Sequence, residues 1–235
     1  MPKRENISMS VIRRLPRYYR FLFHLREDGV TRISSTELSE KLGLTASQIR
    51  QDLNCFGGFG QQGYGYMVGP LCDEIGRIIG LSNDYRAVLL GAGNLGRAIA
   101  LHMSFRAEGF QLVGVFDIAP EKIGEQLGRL TVRNVAALED FCQENKPVMA
   151  VLCVPRGSVE TLSDRLYRAG IRNFWNFSHY DITLKYPDTL VENVHLNDSL
   201  MTLCYRISHS APRAEAARPH TGVSASDSTT AIRRI

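Results

Sequence analysis

The sequence has little that would indicate a membrane, secreted or metal-binding protein. No apolar run approaches the roughly 18 residues of a membrane span, and the first residues, MPKRENISMSVIRR, lack the apolar core of a secretory signal. The five cysteines are odd in number, scattered, and never in a C-x-x-C pair, which argues against a disulfide framework or a zinc site. We therefore expect a soluble cytoplasmic protein without a bound metal.

Excess charge of one sign is also scarce, but its distribution is uneven. The 235 residues carry 28 basic and 24 acidic side chains, enough chain for one large domain or two modest ones. Residues 1–50 hold 10 basic against 5 acidic side chains, whereas residues 81–207 hold 13 against 14. A basic N-terminal segment on a neutral body favours a polyanion partner for that segment, although an ordinary solvated surface is the alternative.

Residues 1–81 are predicted to form a winged-helix domain. A first helix, regular from about Pro16, is followed by two short helices whose capping sequences are SSTE and TASQ. The tight turn Gly43–Leu44 separates these two helices, which is the helix-turn-helix pattern, here spanning about 16–56.

A glycine-rich stretch follows the helix-turn-helix. Six of the fifteen residues in 56–70 are glycine, and this composition predicts a β-hairpin or wing over about 57–68. A connecting helix is expected over residues 71–81.

The third helix of this domain would carry the side chains that read DNA. Its apolar positions, Ile49, Leu53 and Phe56, turn inward. The polar positions left on its outward face are Ser47, Gln48, Arg50, Gln51 and Asn54. Gln and Asn match adenine edges, and Arg matches guanine or phosphate. The hydroxyl residues placed at helix N-termini for phosphate contacts are Ser34, Ser35 and Thr45.

From Tyr85 onward, apolar strands alternate with amphipathic helices. This α/β alternation predicts a Rossmann domain over residues 85–195, with a doubly wound parallel sheet covered on both faces. One more amphipathic helix is expected over residues 196–207. Residues 208–235 are polar and aperiodic, and we expect them to form a disordered tail.

A glycine fingerprint stands where the first strand of this sheet meets its helix. Its six residues are Gly91, Ala92, Gly93, Asn94, Leu95 and Gly96. The first glycine permits a tight turn, the second lets a pyrophosphate approach the backbone, and the third lets the helix pack closely on the sheet. The next strand ends at Asp117. A carboxylate at this position accepts hydrogen bonds from the hydroxyl groups of the adenosine ribose and repels the 2′-phosphate of NADP(H). The pattern predicts an NAD(H) site, against the alternative of a structural glycine turn.

Catalytic chemistry is not evident beside this site. A dehydrogenase needs an acid or base for the substrate proton, and the candidates, His102, His179 and His195, stand in no recognisable catalytic setting. No further domain remains for a substrate. We therefore predict that the chain is not an enzyme. The alternatives are an oxidoreductase with an N-terminal regulatory module and a nucleotide-gated protein-interaction module.

Several motifs along the chain resemble one known family. In order they are RLPRYYRFLFHL, ISSTELSEKLGL, IRQDLNCFGGFGQQGYGY, LLGAGNLGRAI, VFD, CVP and NFWNF. They resemble the Rex family of redox-sensing transcriptional repressors over residues 12–207. The resemblance implies a homodimer whose C-terminal helix swaps onto the partner. It also implies that NADH releases double-stranded operator DNA and that NAD⁺ permits binding, so NAD(H) is a regulatory ligand.

The resemblance assigns further residues to the cofactor and to the switch. Val154 and Pro155 would contact the cofactor after the fourth strand. Asn176 and Phe177 would do so after the fifth strand, near the nicotinamide. Arg20 would belong to a polar network that links cofactor state to dimer geometry, and in this network His195 stands where the family has an aspartate.

Other departures fall on the predicted DNA face and beside the nicotinamide. The family has a basic residue at the wing tip, where this chain has Gln61–Gln62, and Lys or Arg at the position of Gln51. Gln62 is still expected to contact DNA, and both changes predict a weaker or altered operator interaction. Ser178-His179 replaces the Ala-Pro that the family commonly has near the nicotinamide.

Overall fold

The N-terminal elements form a helix-turn-helix with a small sheet at its edge. The structure is a computed structural model and describes residues 7–61 and 64–209. The elements up to residue 78 are α1 (Met9–Ile12), α2 (Leu15–Glu27), β1 (Arg32–Ile33), α3 (Ser35–Leu42), α4 (Ala46–Asn54), β2 (Gly60–Gln61), β3 (Gly65–Met67) and α5 (Val68–Ile78).

Local signals in the sequence explain where α2 and α3 begin and end. Pro16 lies in the first turn of α2, where a missing N–H costs no helical hydrogen bond. Ser34 and Glu37 form the predicted capping box at the start of α3, and Gly43 ends that helix with φ +61°, a left-handed conformation that favours glycine.

At α4 and α5 the prediction was wrong in detail. Thr45 caps α4 by accepting the Gln48 N–H, but the Gln48 side chain does not complete a capping box; it bonds Asp52 instead. The connecting helix α5 begins at Val68 and not at 71, because Pro70 is tolerated within its first turn.

The predicted wing hairpin is present and has an additional strand. β3 pairs antiparallel with β2 on one side and with β1 on the other. The two-residue strand β1 is too short to leave a periodic signal in the sequence, so it was not predicted. The apolar faces of α2 to α5 enclose one core, in which Leu15, Leu22, Ile49 and Ile75 are fully buried.

The second half of the chain is built on a larger sheet. Its strands and helices are β4 (Tyr85–Leu90), α6 (Asn94–His102), β5 (Phe110–Asp117), β6 (Gln126–Leu127), β7 (Leu130–Asn134), α7 (Leu138–Asn145), β8 (Met149–Leu152), α8 (Arg156–Arg168), β9 (Asn173–Asn176) and β10 (Leu190–Asn193), with short 3₁₀ turns at Phe105–Glu108, Val135–Ala137 and Ile182–Leu184. The strand order among the described residues is β10-β9-β8-β4-β5-β7-β6.

The strand order confirms the predicted Rossmann fold. All neighbouring pairs are parallel except β6 with β7. Without β6, and numbered along the chain, the order is 3-2-1-4-5-6, which reverses between β4 and β8. Alternate residues of β4 enter opposite cores, Leu89 beneath α6 and Val88 and Leu90 beneath α7 and α8. The sequence did not predict β6, β7 or β10, since short strands with exposed polar positions lack a continuous apolar run.

Two glycines meet where α5 leads into this sheet. Gly80 and Gly109 have φ +85° and +79°. A Cβ at Gly109 would lie 2.5 Å from the Gly80 carbonyl oxygen, and the Gly109 carbonyl accepts the Tyr85 N–H at 2.8 Å. The backbone of the two turns is therefore in direct contact.

The chain through Val194 forms one compact unit, and a second begins at His195. In the second unit α9 (Leu196–Ser208) confirms the predicted last helix and extends one residue further. Its large apolar side chains are exposed: Leu196, Leu200, Met201, Leu203, Tyr205 and Ile207. The rest of the predicted disordered tail, from residue 210, lies outside the described residues. None of the helices in the described ranges has the length and apolar character needed to cross a bilayer.

Candidate dinucleotide site and DNA-reading face

The glycine turn lies at the point where the strand order reverses. Gly91 follows β4 with φ +96°, and its N–H donates to the Phe116 carbonyl of β5 at 2.8 Å. A Cβ at Gly91 would lie 2.4 Å from the Cys153 carbonyl oxygen, just after β8. The turn is therefore fixed between the carboxyl ends of three strands, which is where ligands of open α/β sheets bind.

The other two glycines of the fingerprint have opposite surroundings. A Cβ at Gly96 would lie 1.8 Å from the Gly91 carbonyl oxygen, whereas a Cβ at Gly93 would meet nothing within 4 Å. Gly96 is thus required by the close packing of α6 on the turn. Gly93 leaves open space at the helix start, and a pyrophosphate needs such space to reach the backbone.

The N-terminus of α6 is available to an anion. Gly93 is the N-cap residue and supplies no side-chain cap, so the first amides of the helix, those of Asn94 and Leu95 among them, point past the turn. These donors and the helix dipole favour negative charge at this position. Open space and N–H donors coincide here, so these residues fit the diphosphate of a dinucleotide.

Asp117 lies at the end of β5, beside the turn, and is 7% exposed. Its Oδ2 accepts the Ala92 N–H at 2.7 Å, and its Oδ1 accepts the Ala119 N–H at 2.9 Å. Lys122 Nζ lies 3.3 Å from Oδ2. Burial alone would raise the pKa of Asp117, but the two backbone N–H groups and the Lys122 ammonium hold it below its usual value. The ionised carboxylate fixes the glycine turn and is placed where an adenosine ribose would meet it.

The loop after β8 lies against the glycine turn at the carboxyl ends of the strands, and we call the space beside the two the crevice. Val154 is half-buried and its Cγ1 would lie 2.9 Å from a Cβ on Gly91, so the two loops touch. Pro155 is exposed and precedes α8 without a side-chain cap. Burial raises the pKa of the neighbouring Cys153 thiol to about 12, which makes that thiol unreactive at neutral pH.

Asn176, at the end of β9, is buried and its side chain is engaged within its own loop. Its Nδ2 donates to the Tyr180 carbonyl at 2.8 Å and to Asn193 Oδ1 at 2.7 Å. Its Oδ1 accepts the Ser178 N–H and hydroxyl. Asn176 therefore shapes the loop, and its predicted contact to a cofactor remains a prediction. Phe177 is half-buried and packs edge-on against Trp175.

The helix-turn-helix part of the chain contains a buried carboxylate that the sequence did not reveal. Asp52 is 1% exposed, and Arg14 donates to it twice, from Nε at 2.6 Å and from a terminal nitrogen at 2.8 Å. The Tyr18 hydroxyl donates at 2.5 Å and Gln48 Nε2 at 2.8 Å. Burial raises the pKa of Asp52, but these hydrogen bonds lower it below its usual value. The network joins α4 to α2 and to the residue before it.

The Asp52 network engages one of the predicted DNA-reading residues. Gln48 is half-buried and one of its amide hydrogens is committed to Asp52, whereas four residues are exposed on α4 as expected: Ser47, Arg50, Gln51 and Asn54. Arg50 donates to the Ser35 hydroxyl at 3.0 Å, which brings α3 and α4 together at this face. The hydroxyl oxygens of Ser34 and Thr45 accept capping N–H groups, so each keeps its own hydrogen for a phosphate. Gln62 lies outside the described residues.

The two residues predicted for the switch lie in different units of the structure. Arg20 is exposed on α2. His195 is the N-cap residue of α9, and its Nδ1 lies 3.7 Å from Asp198 Oδ2. Their participation in one network remains a prediction.

Known protein families match each half of the chain. A family model described as "Putative DNA-binding protein N-terminus" matches residues 6–54, and one described as "CoA binding domain" matches residues 82–180. The chain is 52% identical over 209 residues to the redox-sensing transcriptional repressor Rex of Thermoanaerobacter pseudethanolicus, a match that covers 88% of this chain and 92% of the relative.

The chain belongs to the Rex family of redox-sensing transcriptional repressors. The Rex protein of Clostridium perfringens strain SM101 is 50% identical, over 89% of this chain and 98% of its own. Because the function of the family is regulatory, the oxidoreductase alternative is wrong.

Solved structures extend this agreement to the whole fold. The Rex-family repressor RSP, crystallised with β-NAD⁺ and operator DNA, is 51% identical with a TM-score of 0.80, covering 86% of this chain and 93% of RSP. RSP with β-NADH gives 48% identity and a TM-score of 0.79, covering 86% and 94%. The fold of this Rex-family chain is therefore that of a repressor crystallised with both redox forms of the cofactor.

Proposed function

We propose that the chain binds operator DNA through its winged helix and NAD(H) at the glycine turn, and that NADH releases the DNA whereas NAD⁺ permits binding. The assignment to the two redox forms is supported by RSP, which was crystallised with β-NADH and, separately, with β-NAD⁺ and operator DNA. The repressor would thereby follow the NADH/NAD⁺ ratio of the cytoplasm.

The single observation that carries the cofactor assignment is the contrast between the glycines. Gly91 and Gly96 are enclosed by backbone, and Gly93 alone of the three faces open space. A purely structural turn would need no such opening beside a helix N-terminus and an ionised carboxylate. Coenzyme A, which gives its name to the family model matched by residues 82–180, carries a phosphate on its adenosine ribose, and a carboxylate at Asp117 disfavours a phosphate there.

The proposed DNA face consists of α4 in the major groove and the wing beside it. Arg50, Gln51 and Asn54 project from one exposed side of α4, and such a helix fits the major groove. Arg32 is exposed on β1, next to the wing strands. The Asp52 network holds α4 at a fixed angle to α2, so these side chains reach DNA as one rigid surface.

We further propose that the protein is a homodimer in which α9 packs against a second copy. The six large apolar side chains exposed on α9 are a surface that solvent does not favour. A helix exchanged between protomers would bury them. Arg20 and His195 would then belong to the network that links cofactor state to dimer geometry.

The mechanism requires two dimer geometries with different affinities for the two ligands. Bound NAD(H) would supply a ligand whose nicotinamide end differs between redox forms, and the chain's own residues would respond to that difference. The amides at the start of α6 would hold the diphosphate, Asp117 would orient the ribose, and Val154 and Phe177 would exclude water near the nicotinamide. NADH shifts the population only by the ratio of its affinities for the two geometries.

Operator selection on the full-length protein tests this proposal. The apo protein should enrich a DNA sequence, NADH should weaken binding to it about tenfold or more, and NAD⁺ should not. Asp117→Ala should raise the NADH concentration needed for release about tenfold, whereas Asp140→Ala, an exposed carboxylate on α7, should not. If no sequence is enriched even at low salt, or if NADH leaves binding unchanged, the proposal is wrong.

A further inference from the structure

A lysine stands beside the carboxylate that is expected to reject phosphorylated cofactors. Lys122 Nζ lies 3.3 Å from Asp117 Oδ2, and the lysine side chain is 32% exposed. Asp117 also accepts backbone N–H groups on both of its oxygens. The carboxylate is therefore surrounded by positive partial and full charges, and its field toward solvent is weaker than that of a lone aspartate.

The loop after β5 holds this lysine in place. Consecutive turns run from Ala119 to Glu125: the Lys122 N–H donates to the Ala119 carbonyl at 3.0 Å, and the Glu125 N–H donates to the Lys122 carbonyl at 3.1 Å. Glu125 is paired with Arg97 of α6, so this acid is directed toward another cation. The loop thus presents the Lys122 ammonium at the edge of the adenosine end of the crevice.

We infer that Lys122 is a specificity-determining residue that pairs with a 2′-phosphate, so that NADPH is a second, weaker ligand of this site. The inference rests on the dinucleotide site proposed above. Asp117 alone would exclude NADPH through the repulsion of two anions. The Lys122 ammonium can reach both the carboxylate and a 2′-phosphate. The affinity for NADPH is therefore set by the balance between repulsion from Asp117 and attraction to Lys122. The exposure of Lys122 leaves it free to turn from the carboxylate toward a phosphate at the ribose.

Dissociation constants for NADH and NADPH, measured by the fluorescence of the reduced nicotinamide on full-length protein, test this inference. NADPH should bind wild-type protein measurably, about 10 to 100 times more weakly than NADH. Lys122→Met, which keeps the aliphatic stem and removes the charge, should widen that ratio about threefold to fivefold, the upper range for one partly exposed charge pair. Lys185→Met is the matched control, because Lys185 pairs with Glu160 and Asp164 on α8 and should leave the ratio unchanged.

A second pair of variants separates a direct contact from a structural role. In an Asp117→Ala background, Lys122→Met should still weaken NADPH several-fold, because the ammonium would contact the phosphate itself. If the effect disappears in that background, or if Lys122→Met leaves the ratio within twofold of wild type, the inference is wrong. Unfolding temperatures of all variants show whether the loop remains folded. Failure of wild-type protein to bind either dinucleotide would instead overturn the proposed function and this inference together.

Discussion

Two buried aspartates, one in each half of the molecule, show two ways of stabilising an ionised carboxylate. Asp52 is held by side chains, those of Arg14, Tyr18 and Gln48. Asp117 is held by the backbone N–H groups of the turns around it and by one lysine. Burial opposes ionisation in both, and hydrogen bonds overcome it in both.

The difference in partners corresponds to a difference in role. The partners of Asp52 are side chains of α2, of α4 and of the residue before α2, so this carboxylate serves to fix α4. Asp117 takes its donors from two backbone turns and from Lys122. It stands at the end of β5 beside the glycine turn, so it is placed to meet a ligand as well as to fix that turn. In this chain the aspartate with side-chain partners fixes a helix, and the aspartate with backbone partners stands at the strand end where a ligand of this fold binds.

The largest loss of stability should come from replacing Asp52, whose carboxylate accepts hydrogen bonds from three side chains. Asp52→Ala leaves Arg14, Tyr18 and Gln48 without their acceptor, and loss of one partner of a buried pair costs about 3–5 kcal/mol. Urea unfolding of the apo protein measures this loss. Asp73→Ala is the control, because its exposed ion pair with Arg26 should contribute under about 1 kcal/mol. If both variants lost the same free energy of unfolding, Asp52 would not have the structural role assigned to it.

Two glycine substitutions separate structure from binding at the turn beside Asp117. Gly96→Ala places a methyl group against the Gly91 carbonyl oxygen and should destabilise the fold by about 3 kcal/mol. Gly93→Ala meets open space, so its stability should stay within about 1 kcal/mol of wild type. Its NADH affinity should nevertheless fall about tenfold, because the methyl group occupies the approach of the diphosphate. Unfolding and NADH titration distinguish these outcomes, and full NADH affinity in Gly93→Ala would contradict the assignment.

Acid should protonate both aspartates and so remove the stability that each contributes to the folded protein. Their pKa values lie below the usual value near 4 when the protein is folded. Their stabilisation is therefore complete above about pH 4 and is lost as the pH falls through the folded pKa. Urea unfolding of the wild type at pH 5, 4 and 3 should show this decrease, and Asp52→Asn should show a shallower one. If the free energy of unfolding of that variant fell equally steeply with pH, Asp52 would not contribute to the acid sensitivity.

The smallest effect on stability should come from the exposed face that Asp52 supports. Arg50→Ala should change the free energy of unfolding by about 0.5 kcal/mol or less. If Arg50 neutralises a phosphate, the variant should weaken operator binding and reduce the salt slope by about one unit. Lys41→Ala, on the exposed side of α3, serves as the charge-matched comparison. Unchanged affinity and slope in Arg50→Ala would take that residue out of the interface.

Features encoded by local sequence were predictable. The capping box of Ser34 and Glu37, the left-handed Gly43 and the glycine turn after β4 each depend on a few adjacent residues with known backbone preferences. The Rossmann fold followed from the alternation of apolar strands with helices, and its strand order confirmed it. Short edge strands such as β1 and β10 were missed, because pairing with a distant strand and not their own composition makes them strands.

In the candidate sites, too, features set by adjacent residues could be predicted, and contacts between distant residues could not. The strand–turn–helix rule placed Gly93 at the start of α6 and Asp117 at the end of β5, where the structure has them; their contacts to a cofactor remain predictions. Asp52 and its partner Arg14 are 38 residues apart, and no periodicity announces such a pair. Lys122 lies five residues after Asp117 in a loop without a regular pattern. Gln48 was placed on the outward face by helical spacing, which cannot reveal that a buried acceptor draws its side chain inward.

The contact between Gly80 and Gly109 limits how this repressor can be recombined. A chimera that transplants the winged helix onto another Rossmann domain must reproduce a joint in which two left-handed backbones touch. Any side chain at either position would strain the turn there, and at Gly109 it would also separate the two turns. Such a hybrid would keep two well-folded halves and still misalign α5 with β4. The two halves are thus exchangeable only together with both glycines, because the geometry of the joint depends on this backbone contact.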